Sequence, residues 1–313
     1  MGAPRYAVER LTPDFGFYLR DAQTLARVKS PWQEIEIFEN PLFGRVMRID
    51  GCFMTSERDE FFYHEPMVHL PAISHGAPRS ALIVGGGDGG AAKELLKYAS
   101  LQRLVLAELD GVVIETARRW LPEIHRGAFD DPRLEIRLGD ARPLIEAGQE
   151  GFDQIILDLT DPFGPATDLY TVEFYAACRR CLNPGGVLSL HLGSPIHRAE
   201  AMARIHASLR ASFAVVRPYL QYVPLYGTLW CMAMASDTVD PLDLAAPEID
   251  ARIGACGLRD LRLYNGATHQ ALLAQPNFVC DIFRQEAAPI RRGETLTDVC
   301  DPARLPELLL REA

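Results

Sequence analysis

Residues 82–96 read LIVGGGDGGAAKELL. An apolar run ends in five glycines that surround Asp88, and the residues after them have helical spacing, so the stretch predicts a strand, a tight turn and a helix. Glycine permits positive φ and lets a ligand approach the backbone, and the first N–H groups of a helix lack intrahelical partners. The stretch therefore predicts a loop of the kind that binds nucleotides.

Three of these glycines also match a dinucleotide-binding pattern. Gly85, Gly87 and Gly90 have GxGxxG spacing, and Glu108 and Asp110 follow about twenty residues later as candidate ribose ligands. Asp88, however, would lie where a dinucleotide places its pyrophosphate, and two like charges about 4 Å apart repel by about 4 kcal/mol at an effective dielectric constant of about 20. Asp88 therefore favours a ligand with a positive charge, unless it only caps the next helix.

From residue 79 onward, segments typical of strands alternate with segments typical of helices. The strands are expected near 81–85, 103–108, 134–138, 153–158 and 186–191, and the helices near 90–98, 112–120, 141–147, 171–182 and 197–211. Two more β segments, near 213–223 and 228–236, are expected to close the sheet as an antiparallel hairpin. The alternation predicts an α/β fold with a Rossmann-like, doubly wound, mostly parallel sheet of the class I methyltransferase type, which binds ligands at the carboxyl ends of its strands.

The first part of the chain has a different pattern. Short segments at 24–28, 34–39, 45–49 and 52–55 are separated by turn residues such as Asn40-Pro41 and Asp50-Gly51, which predicts a small antiparallel β domain. A helix is expected to begin after Ser56 and to run to Pro71. We therefore divide the chain into an N-terminal β-strand domain, residues 1–71, and a catalytic domain, residues 72–313, which ends in helices near 247–256 and 268–283 and a charged tail from about residue 287.

Composition limits the classes of function. The chain has 313 residues, 48% of them hydrophobic, and a net charge of −10, which argues against nucleic acid as a partner and suits a cationic substrate. No apolar run approaches the about 20 residues that span a bilayer, and the N-terminus resembles no export signal, so we expect no membrane partner and a cytoplasmic location. Seven scattered cysteines do not form a disulfide framework.

No metal site is expected either. His64 and His69 are five residues apart, so they do not share a helical face as zinc ligands would. Cys178 and Cys181 form a CxxC pair, but the pair lies in a predicted helix and lacks a second pair. We therefore predict neither a metal nor a redox function for these residues.

Acidic residues follow the first four predicted strands of the sheet. In chain order they are Asp88, Glu108 with Asp110, Asp140, and Asp158 with Asp161. Because these strand ends point into one crevice, Glu108 can accept hydrogen bonds from ribose hydroxyls and Asp140 can accept one from an adenine amino group. Together they predict an adenosine ligand, which dinucleotides and S-adenosyl compounds both contain.

Asp88 distinguishes between the S-adenosyl ligands. A methyltransferase holds the methionine carboxylate of S-adenosylmethionine in its glycine-rich loop, and Asp88 would repel that group. Decarboxylated S-adenosylmethionine carries a terminal ammonium instead, which Asp88 would attract while it selects against the carboxylate. The sequence therefore favours the decarboxylated nucleoside, with an S-adenosylmethionine-dependent methyltransferase as an alternative.

Many short blocks of the sequence occur in a fixed order. They include KSPWQ at 29–33, ERDEF at 57–61, YHE at 63–65, the loop at 85–90, ELD at 108–110, GD at 139–140, DLTDP at 158–162 and LYTVEFY at 169–175. With these blocks, residues 28–285 resemble the spermidine synthase (polyamine aminopropyltransferase) family. The resemblance implies transfer of the aminopropyl group of decarboxylated S-adenosylmethionine, a co-substrate, to putrescine, giving spermidine and methylthioadenosine with no bound prosthetic group.

The resemblance also implies partners and residue functions. The only partners would be the polyamine and nucleoside substrates and other copies of the chain, as a homodimer or homotetramer with the N-terminal β domain as a candidate surface. Asp158 would be the base and Tyr63 its relay. The acceptor amine would be bound by His64, Asp88, Asp158, Asp161 and Tyr226. The nucleoside would be held by Gln33, Gly85, Gly87, Asp88, Glu108, Asp140 and Ala141.

Several positions depart from the usual pattern of the family. Leu159 replaces a small residue and is similar to the thermospermine synthase branch, so a longer acceptor, as in spermine or thermospermine synthase, is an alternative to putrescine. Ala92 and Lys93 replace an aliphatic residue and an arginine, His191 occupies a position that is often glutamine, and the turn at Pro224–Gly227 is compact. A non-catalytic polyamine-binding protein is a further alternative, against which the complete set of base and nucleoside ligands argues.

Overall fold

A computed structural model describes residues 5–12, 15–21 and 23–296. Its N-terminal part consists of β1 (Arg5–Arg10) and β2 (Gly16–Asp21), which form a hairpin, and of a four-stranded antiparallel sheet in the order β3 (Gln23–Lys29), β4 (Glu34–Asn40), β5 (Gly44–Ile49) and β6 (Cys52–Ser56). The predicted antiparallel β domain is confirmed. The hairpin β1–β2 was not predicted, because its strands have polar ends and bury little more than Ala7 and Glu9.

Helix α1 (Phe61–His75) links this part to the central sheet, and the predicted end at Pro71 is wrong. Proline removes an N–H donor from a helix and leaves the carbonyl four residues earlier without its partner. For Pro71 that carbonyl belongs to Met67, and it accepts a 3.0 Å hydrogen bond from Oγ of Ser189 in the central sheet. A partner from the tertiary structure thus lets the helix continue. The proposed division of the chain after residue 71 falls inside α1.

The central sheet has seven strands. Their bounds agree closely with the predicted segments, except that the strand expected near 186–191 begins at Leu182. The strands are β7 (Ser80–Gly85), β8 (Arg103–Glu108), β9 (Leu134–Leu138), β10 (Phe152–Asp158), β11 (Leu182–Gly193), β12 (Val215–Val223) and β13 (Thr228–Ser236), in the order β12-β13-β11-β10-β7-β8-β9. Strands β11, β10, β7, β8 and β9 are parallel, and β13 runs antiparallel to β11 and β12. This order confirms the predicted Rossmann-like sheet and puts the topological switch point between β7 and β10.

Helices cover both faces of this sheet. They are α2 (Gly90–Leu96), α3 (Gly111–Trp120), α4 (Pro122–His125), α5 (Arg142–Ala147), α6 (Val172–Cys181), α7 (Ala199–Arg210), α8 (Ala246–Ala255), α9 (Gly266–Leu273) and α10 (Asn277–Arg284). Successive strand residues point to opposite faces, so Ile83 packs into one core and its neighbours Leu82 and Val84 into the other. No helix in the described part of the chain is both long and apolar enough to cross a membrane.

The helix expected over 268–283 is in fact two helices, α9 and α10. Pro276 has an extended backbone, with φ −68° and ψ 154°, and it separates them. A residue before proline is disfavoured in the helical region, and α9 ends at Leu273, before the Gln275-Pro276 pair. The predicted tail is non-helical over the described residues 287–296, where Ile290 is buried, and the rest of it, with Cys300, lies outside the described residues.

Candidate active site

The glycine-rich loop joins β7 to α2, as the sequence predicts. Gly85 has φ +80°, and a Cβ at this position would lie 2.2 Å from the carbonyl oxygen of Asp158, so no side chain fits there. Gly86 donates its N–H to the same carbonyl over 2.9 Å. Because β7 and β10 are parallel neighbours, this contact holds the loop against the carboxyl end of β10. The two strand ends on either side of the switch point therefore form one edge of a site.

Asp88 contacts both the helix start and the cleft beside the loop. Its Oδ1 accepts the N–H of Gly90, the first residue of α2, over 2.9 Å, but the N-cap of that helix is Gly89, so Asp88 is not simply a helix cap. Its Oδ2 lies 3.5 Å from Nε2 of His64, and the residue lines the cleft. The carboxylate thus presents a negative charge inside the glycine loop.

A cleft of about 350 Å³ lies across the carboxyl ends of the central strands. Such a concave site is where a small ligand binds in an open α/β sheet. The sequence-predicted residues that line the cleft are Gln33, Tyr63, His64, Gly85, Gly87, Asp88, Glu108, Asp140, Ala141, Asp158 and Tyr226. Of the residues to which the family resemblance assigns a role, Asp161 is the one that does not line this cleft in the described structure.

Glu108 is almost fully buried at the end of β8. Its Oε1 accepts the N–H of Asp110 over 2.9 Å, and a Cβ at Gly87 would lie 2.9 Å from its Oε2. Burial raises the pKa of Glu108 to about 7, although hydrogen bonds from the backbone N–H groups of Asp110 and Gly87 oppose that shift. Hydroxyl donors from a ribose would stabilise the ionised form further.

Gln33 reaches the cleft from the N-terminal domain. Its Nε2 donates to Oδ2 of Asp110 over 3.0 Å, and Oγ of Ser30 donates to the same oxygen over 2.6 Å. Oδ1 of Asp110 accepts the N–H of Val112 at the start of α3. Asp110 therefore positions Gln33 and caps a helix, and it does not line the cleft in the described structure. Of the two candidate ribose ligands, the structure favours Glu108.

Asp140 follows β9 and lines the cleft together with Ala141, the residue before α5. Its carboxylate accepts the backbone N–H of Arg142 over 2.9 Å and pairs with Nη2 of the same residue at 2.8 Å. Partial burial would raise the pKa of Asp140, but Arg142 lowers it below its usual range. Arg142 also pairs with Asp168 at 3.0 Å. An adenine amino group would thus share Asp140 with Arg142, a partner that the sequence analysis missed.

Asp158 ends β10 and lines the cleft, and the hydroxyl of Tyr63 from α1 interacts with its carboxylate. Burial raises the pKa of Asp158 to about 6; the His64 charge and the Tyr63 hydroxyl oppose the shift, and Asp88 adds to it. Burial, followed by the Asp158 charge, puts the pKa of Tyr63 well above its usual range. At neutral pH, Asp158 is therefore mostly a carboxylate that can accept a proton, and Tyr63 is a neutral donor that orients it.

His64 lies between these carboxylates and the protein interior. Its Nδ1 is 2.8 Å from Glu60, and its Nε2 is the atom that faces Asp88. Burial would lower the pKa of His64, but Asp88, Glu60 and Asp158 raise it to about 9. A Cβ at Gly90 would lie 2.2 Å from Cε1 of His64, so glycine at this position makes room for the ring. His64 is therefore protonated at neutral pH and offsets part of the acidic charge.

A buried chain of charges continues from Glu60 into the interior. Nζ of Lys93 lies 2.6 Å from Glu60 and 3.1 Å from Glu94, and Glu94 is 2.7 Å from Nε2 of His69. Lys93 is one of the departures from the family pattern, and its ammonium still neutralises Glu60. His69, which the sequence analysis excluded as a zinc ligand, belongs to this network and not to the cleft.

His64, Asp88 and Asp158 each offer a ligand atom within 4.8 Å of the others. One imidazole and two carboxylates, with Glu60 on the second nitrogen of the ring, form a set that could hold a metal ion. The sequence analysis did not anticipate this cluster. The same carboxylates can equally receive ammonium groups, with a protonated His64 beside them.

A second cavity, of about 50 Å³, adjoins the cleft behind Tyr63 and Tyr226, which line both. The structure places Asp161 here, where it pairs with Arg198 at 3.0 Å. Glu9 of β1 also lines this cavity, and burial raises its pKa to about 8 although it accepts a hydrogen bond from the N–H of Phe53. Asp161 is thus separated from Asp88 and Asp158, and its charge is already compensated.

The compact turn at Pro224–Tyr226 brings Tyr226 to the boundary between the two cavities. The Tyr226 hydroxyl donates to the carbonyl of Met54 over 2.8 Å, and its ring contacts Tyr63 and Trp230. His191, at the strand position that is often glutamine, is buried and stacks on Trp230. Its Nε2 lies 2.9 Å from the carbonyl oxygen of Leu159, and burial lowers its pKa, so the ring is neutral and shapes the small cavity.

Sequence reasoning missed the residues that complete the small cavity. Glu9 lies before the region of resemblance, and Arg198 precedes α7 outside any motif. Trp230 lies on β13, in a segment that resembles any buried strand. Only the tertiary contacts bring these three residues together.

Comparisons with known proteins agree with this geometry. A family profile described as the spermine/spermidine synthase domain matches residues 60–243, and one described as the spermidine synthase tetramerisation domain matches residues 6–57. The polyamine aminopropyltransferase of Nitrosomonas europaea is 64% identical over 309 residues, which cover 98% of this chain and 95% of that protein. The polyamine aminopropyltransferase of Moorella thermoacetica is 38% identical over 275 residues, 87% of this chain and 93% of that protein.

Solved structures show the same likeness. A spermidine synthase crystallised with the transition-state analogue AdoDATO superposes with a TM-score of 0.84 at 36% identity, over 90% of this chain and 96% of that one. Spermidine synthase from Thermotoga maritima gives a TM-score of 0.81 at 34% identity, over 90% and 95% of the two chains. The sequence match, the fold and the site geometry lead to one conclusion: this chain is a transferase that belongs to the spermine/spermidine synthase family of polyamine aminopropyltransferases.

Proposed function

We propose that the protein transfers the aminopropyl group of decarboxylated S-adenosylmethionine to putrescine, forming spermidine and methylthioadenosine. The observation that carries the proposal is Asp88, whose carboxylate faces the cleft from inside the glycine loop. This carboxylate attracts the terminal ammonium of the decarboxylated nucleoside and repels the carboxylate of intact S-adenosylmethionine. An S-adenosylmethionine-dependent methyltransferase is therefore the less favoured alternative.

The proposed reaction is an in-line displacement at the methylene carbon beside the sulfonium. The lone pair of a neutral primary amine forms the new C–N bond, the C–S bond breaks, and its electron pair stays on the sulfur of methylthioadenosine. The acceptor arrives as an ammonium, with a pKa near about 10 by analogy with lysine, so one proton must leave before attack. Asp158 accepts that proton, and Tyr63 fixes the carboxylate in place. The leaving group needs no protonation and the step needs no metal.

The nucleoside half of the cleft supports an adenosine ligand. Glu108 would accept the ribose hydroxyls and Asp140 the adenine amino group, with Gln33, Gly85, Gly87 and Ala141 along the walls. Leu159 lines both cavities, so the same chemistry on a longer acceptor is the second candidate. A homodimer or homotetramer formed through the N-terminal domain, and a cytoplasmic location, remain predictions; the tetramerisation-domain match at residues 6–57 supports the former.

The test is a transfer assay with both nucleosides and a panel of amines, with products identified by mass spectrometry. We expect methylthioadenosine and an aminopropylated amine from decarboxylated S-adenosylmethionine and no transfer from intact S-adenosylmethionine. Asp88→Asn should narrow the difference in affinity between the two nucleosides. Asp237→Asn is the matched control, because Asp237 pairs with Arg179 on the exterior, away from the cleft. Equal affinity of the unmutated protein for both nucleosides would contradict the proposal and favour a methyltransferase.

A further inference from the structure

The small cavity beyond the base contains one fixed positive charge. It holds two acids, Glu9 and Asp161, and Arg198 is the only arginine or lysine among the described residues that line it. The cavity adjoins Asp158 through Tyr63 and Tyr226, which is where the far end of an acceptor amine would extend if its near end met the base. The inference below therefore rests on the proposed function.

Arg198 is held inside the protein. Its side chain is 4% exposed, and Nη2 lies 3.0 Å from Oδ2 of Asp161, whose side chain is 15% exposed. Nη1 is buried without a hydrogen-bond partner in the described structure. A guanidinium has donors and no acceptor and stays charged in proteins, as an ammonium does near neutral pH, so the two groups cannot hydrogen-bond each other. Arg198 can therefore only repel a charged nitrogen of the acceptor.

The acidic side chains of the cavity can compensate one positive charge in addition to Arg198. Asp161 compensates Arg198, so Glu9 alone is left for an ammonium at the far end of the acceptor. A nearby ammonium would also lower the raised pKa of Glu9 and ionise it. A diamine, with one nitrogen at Asp158 and the other at Glu9, satisfies this set. A triamine brings a further ammonium, for which no uncompensated acid remains in the described lining.

The volume of the cavity also favours a diamine over a triamine. About 50 Å³ holds roughly four water-sized groups, by the rule of about 10–15 Å³ for each. The chain of a diamine fits such a space once its reacting end lies in the main cleft. An additional aminopropyl group needs four more heavy atoms, and these would have to share this small space with the Arg198 guanidinium that lines it.

We propose that Arg198 is the specificity-determining residue that limits the acceptor to a diamine, because it compensates Asp161 and keeps a positive charge in the lining of the acceptor cavity. The longer acceptors suggested by Leu159 are then excluded by charge and by space. The residue has no part in the proton transfer, so its replacement should change the choice of acceptor more than the chemistry.

The test compares Arg198→Met, Arg198→Lys and the unmutated protein in transfer to putrescine and to spermidine. Methionine removes the charge and frees Asp161, so the ratio of kcat/KM for spermidine to that for putrescine should rise at least about tenfold, the change expected when one like-charge contact is removed. Lysine keeps the charge and should keep the ratio within about threefold, well below the tenfold expected for loss of the contact. Arg179→Met removes an exterior arginine of the Arg179–Asp237 pair and should leave the ratio unchanged.

A binding measurement keeps the inference separable from the proposed function. Calorimetry with putrescine and spermidine, in the presence of methylthioadenosine, reports the same selectivity without turnover. If no amine is aminopropylated but Arg198→Met still gains affinity for spermidine relative to putrescine, the proposed function fails, while selection between the two amines by Arg198 is supported. If Arg198→Met is folded, as judged by its melting temperature, and neither ratio changes, the inference is overturned. Preference of the unmutated protein for spermidine would overturn it as well.

Discussion

Replacement of Asp158 by asparagine separates a catalytic base from a structural acid. The substitution keeps the shape and the contact with Tyr63 but removes the site that accepts the proton of the amine. Loss of a general base costs about 10²–10⁴ in turnover. Folding should not suffer, because burial opposes the charge of Asp158 in the folded protein.

The raised pKa of Asp158 determines the sign and the size of its effect on the free energy of unfolding. A carboxyl whose pKa is higher in the folded than in the unfolded state binds its proton more tightly when folded, so its ionisation destabilises the folded protein as the pH rises through about 6. The difference from the ordinary value of 3.8 corresponds to about 3 kcal/mol at neutral pH. Asp158→Asn, which cannot ionise, should therefore have an unchanged or higher melting temperature at pH 7.

The assay measures single-turnover rates, melting temperature and affinity for methylthioadenosine for both proteins. In the unmutated enzyme, kcat/KM should fall as the pH drops below about 6, where Asp158 becomes protonated. In the variant, higher pH should restore part of the rate because more of the amine arrives neutral, and nucleoside affinity should change little. A well-folded Asp158→Asn protein with more than about a tenth of normal turnover at neutral pH would refute the reasoning.

Two further predictions concern the neighbours of this base. The pKa of His64 is about 9 in the folded protein, above its ordinary 6.5, so protonated His64 contributes up to about 3 kcal/mol of stability that is fully present below pH 6.5 and is lost as the pH rises through about 9. Urea unfolding from pH 6 to 10 should show this loss, and His64→Gln should abolish it; an unchanged pH dependence in the variant would assign it to other groups. Gly90→Ala puts a Cβ 2.2 Å from the His64 ring and should lower the free energy of unfolding by about 1–3 kcal/mol. It should also weaken acceptor binding, measured as a higher KM. Full stability and a normal KM would show that the ring can move.

Much of the fold could be predicted from local sequence patterns. The alternation of strands and helices, the glycine loop and the turn residues of the N-terminal sheet depend on neighbours along the chain, and the structure bears them out. The wrong end of α1 occurred where a distant contact overrides local preference, whereas the break between α9 and α10 lies at Pro276 and is local. Ser189 supplies the partner that lets α1 pass Pro71, and nothing in the local sequence of either segment indicates that bond.

The acidic residues of the main cleft could also be predicted from the sequence, because acids at the carboxyl ends of parallel strands meet at one edge of the sheet. Asp88, Glu108, Asp140 and Asp158 all lie there. The sequence could not show that Asp110 points away from the cleft and binds Gln33, because Glu108 and Asp110 are equally plausible ribose ligands in the sequence. It also could not show that Arg142 already engages Asp140.

The sequence by itself determined the sheet, the glycine loop, the family and the set of acids at the strand ends, since all of these follow from residues close together in the chain or in ordered blocks. Only the tertiary structure decided which acids keep an uncompensated charge. Asp161 belongs to the same motif as Asp158, yet it faces Arg198 in a separate cavity, closed by Glu9 from a hairpin that the sequence analysis did not predict. Pairing of charges depends on distances of a few ångströms between residues far apart in the chain, and those distances exist only after folding.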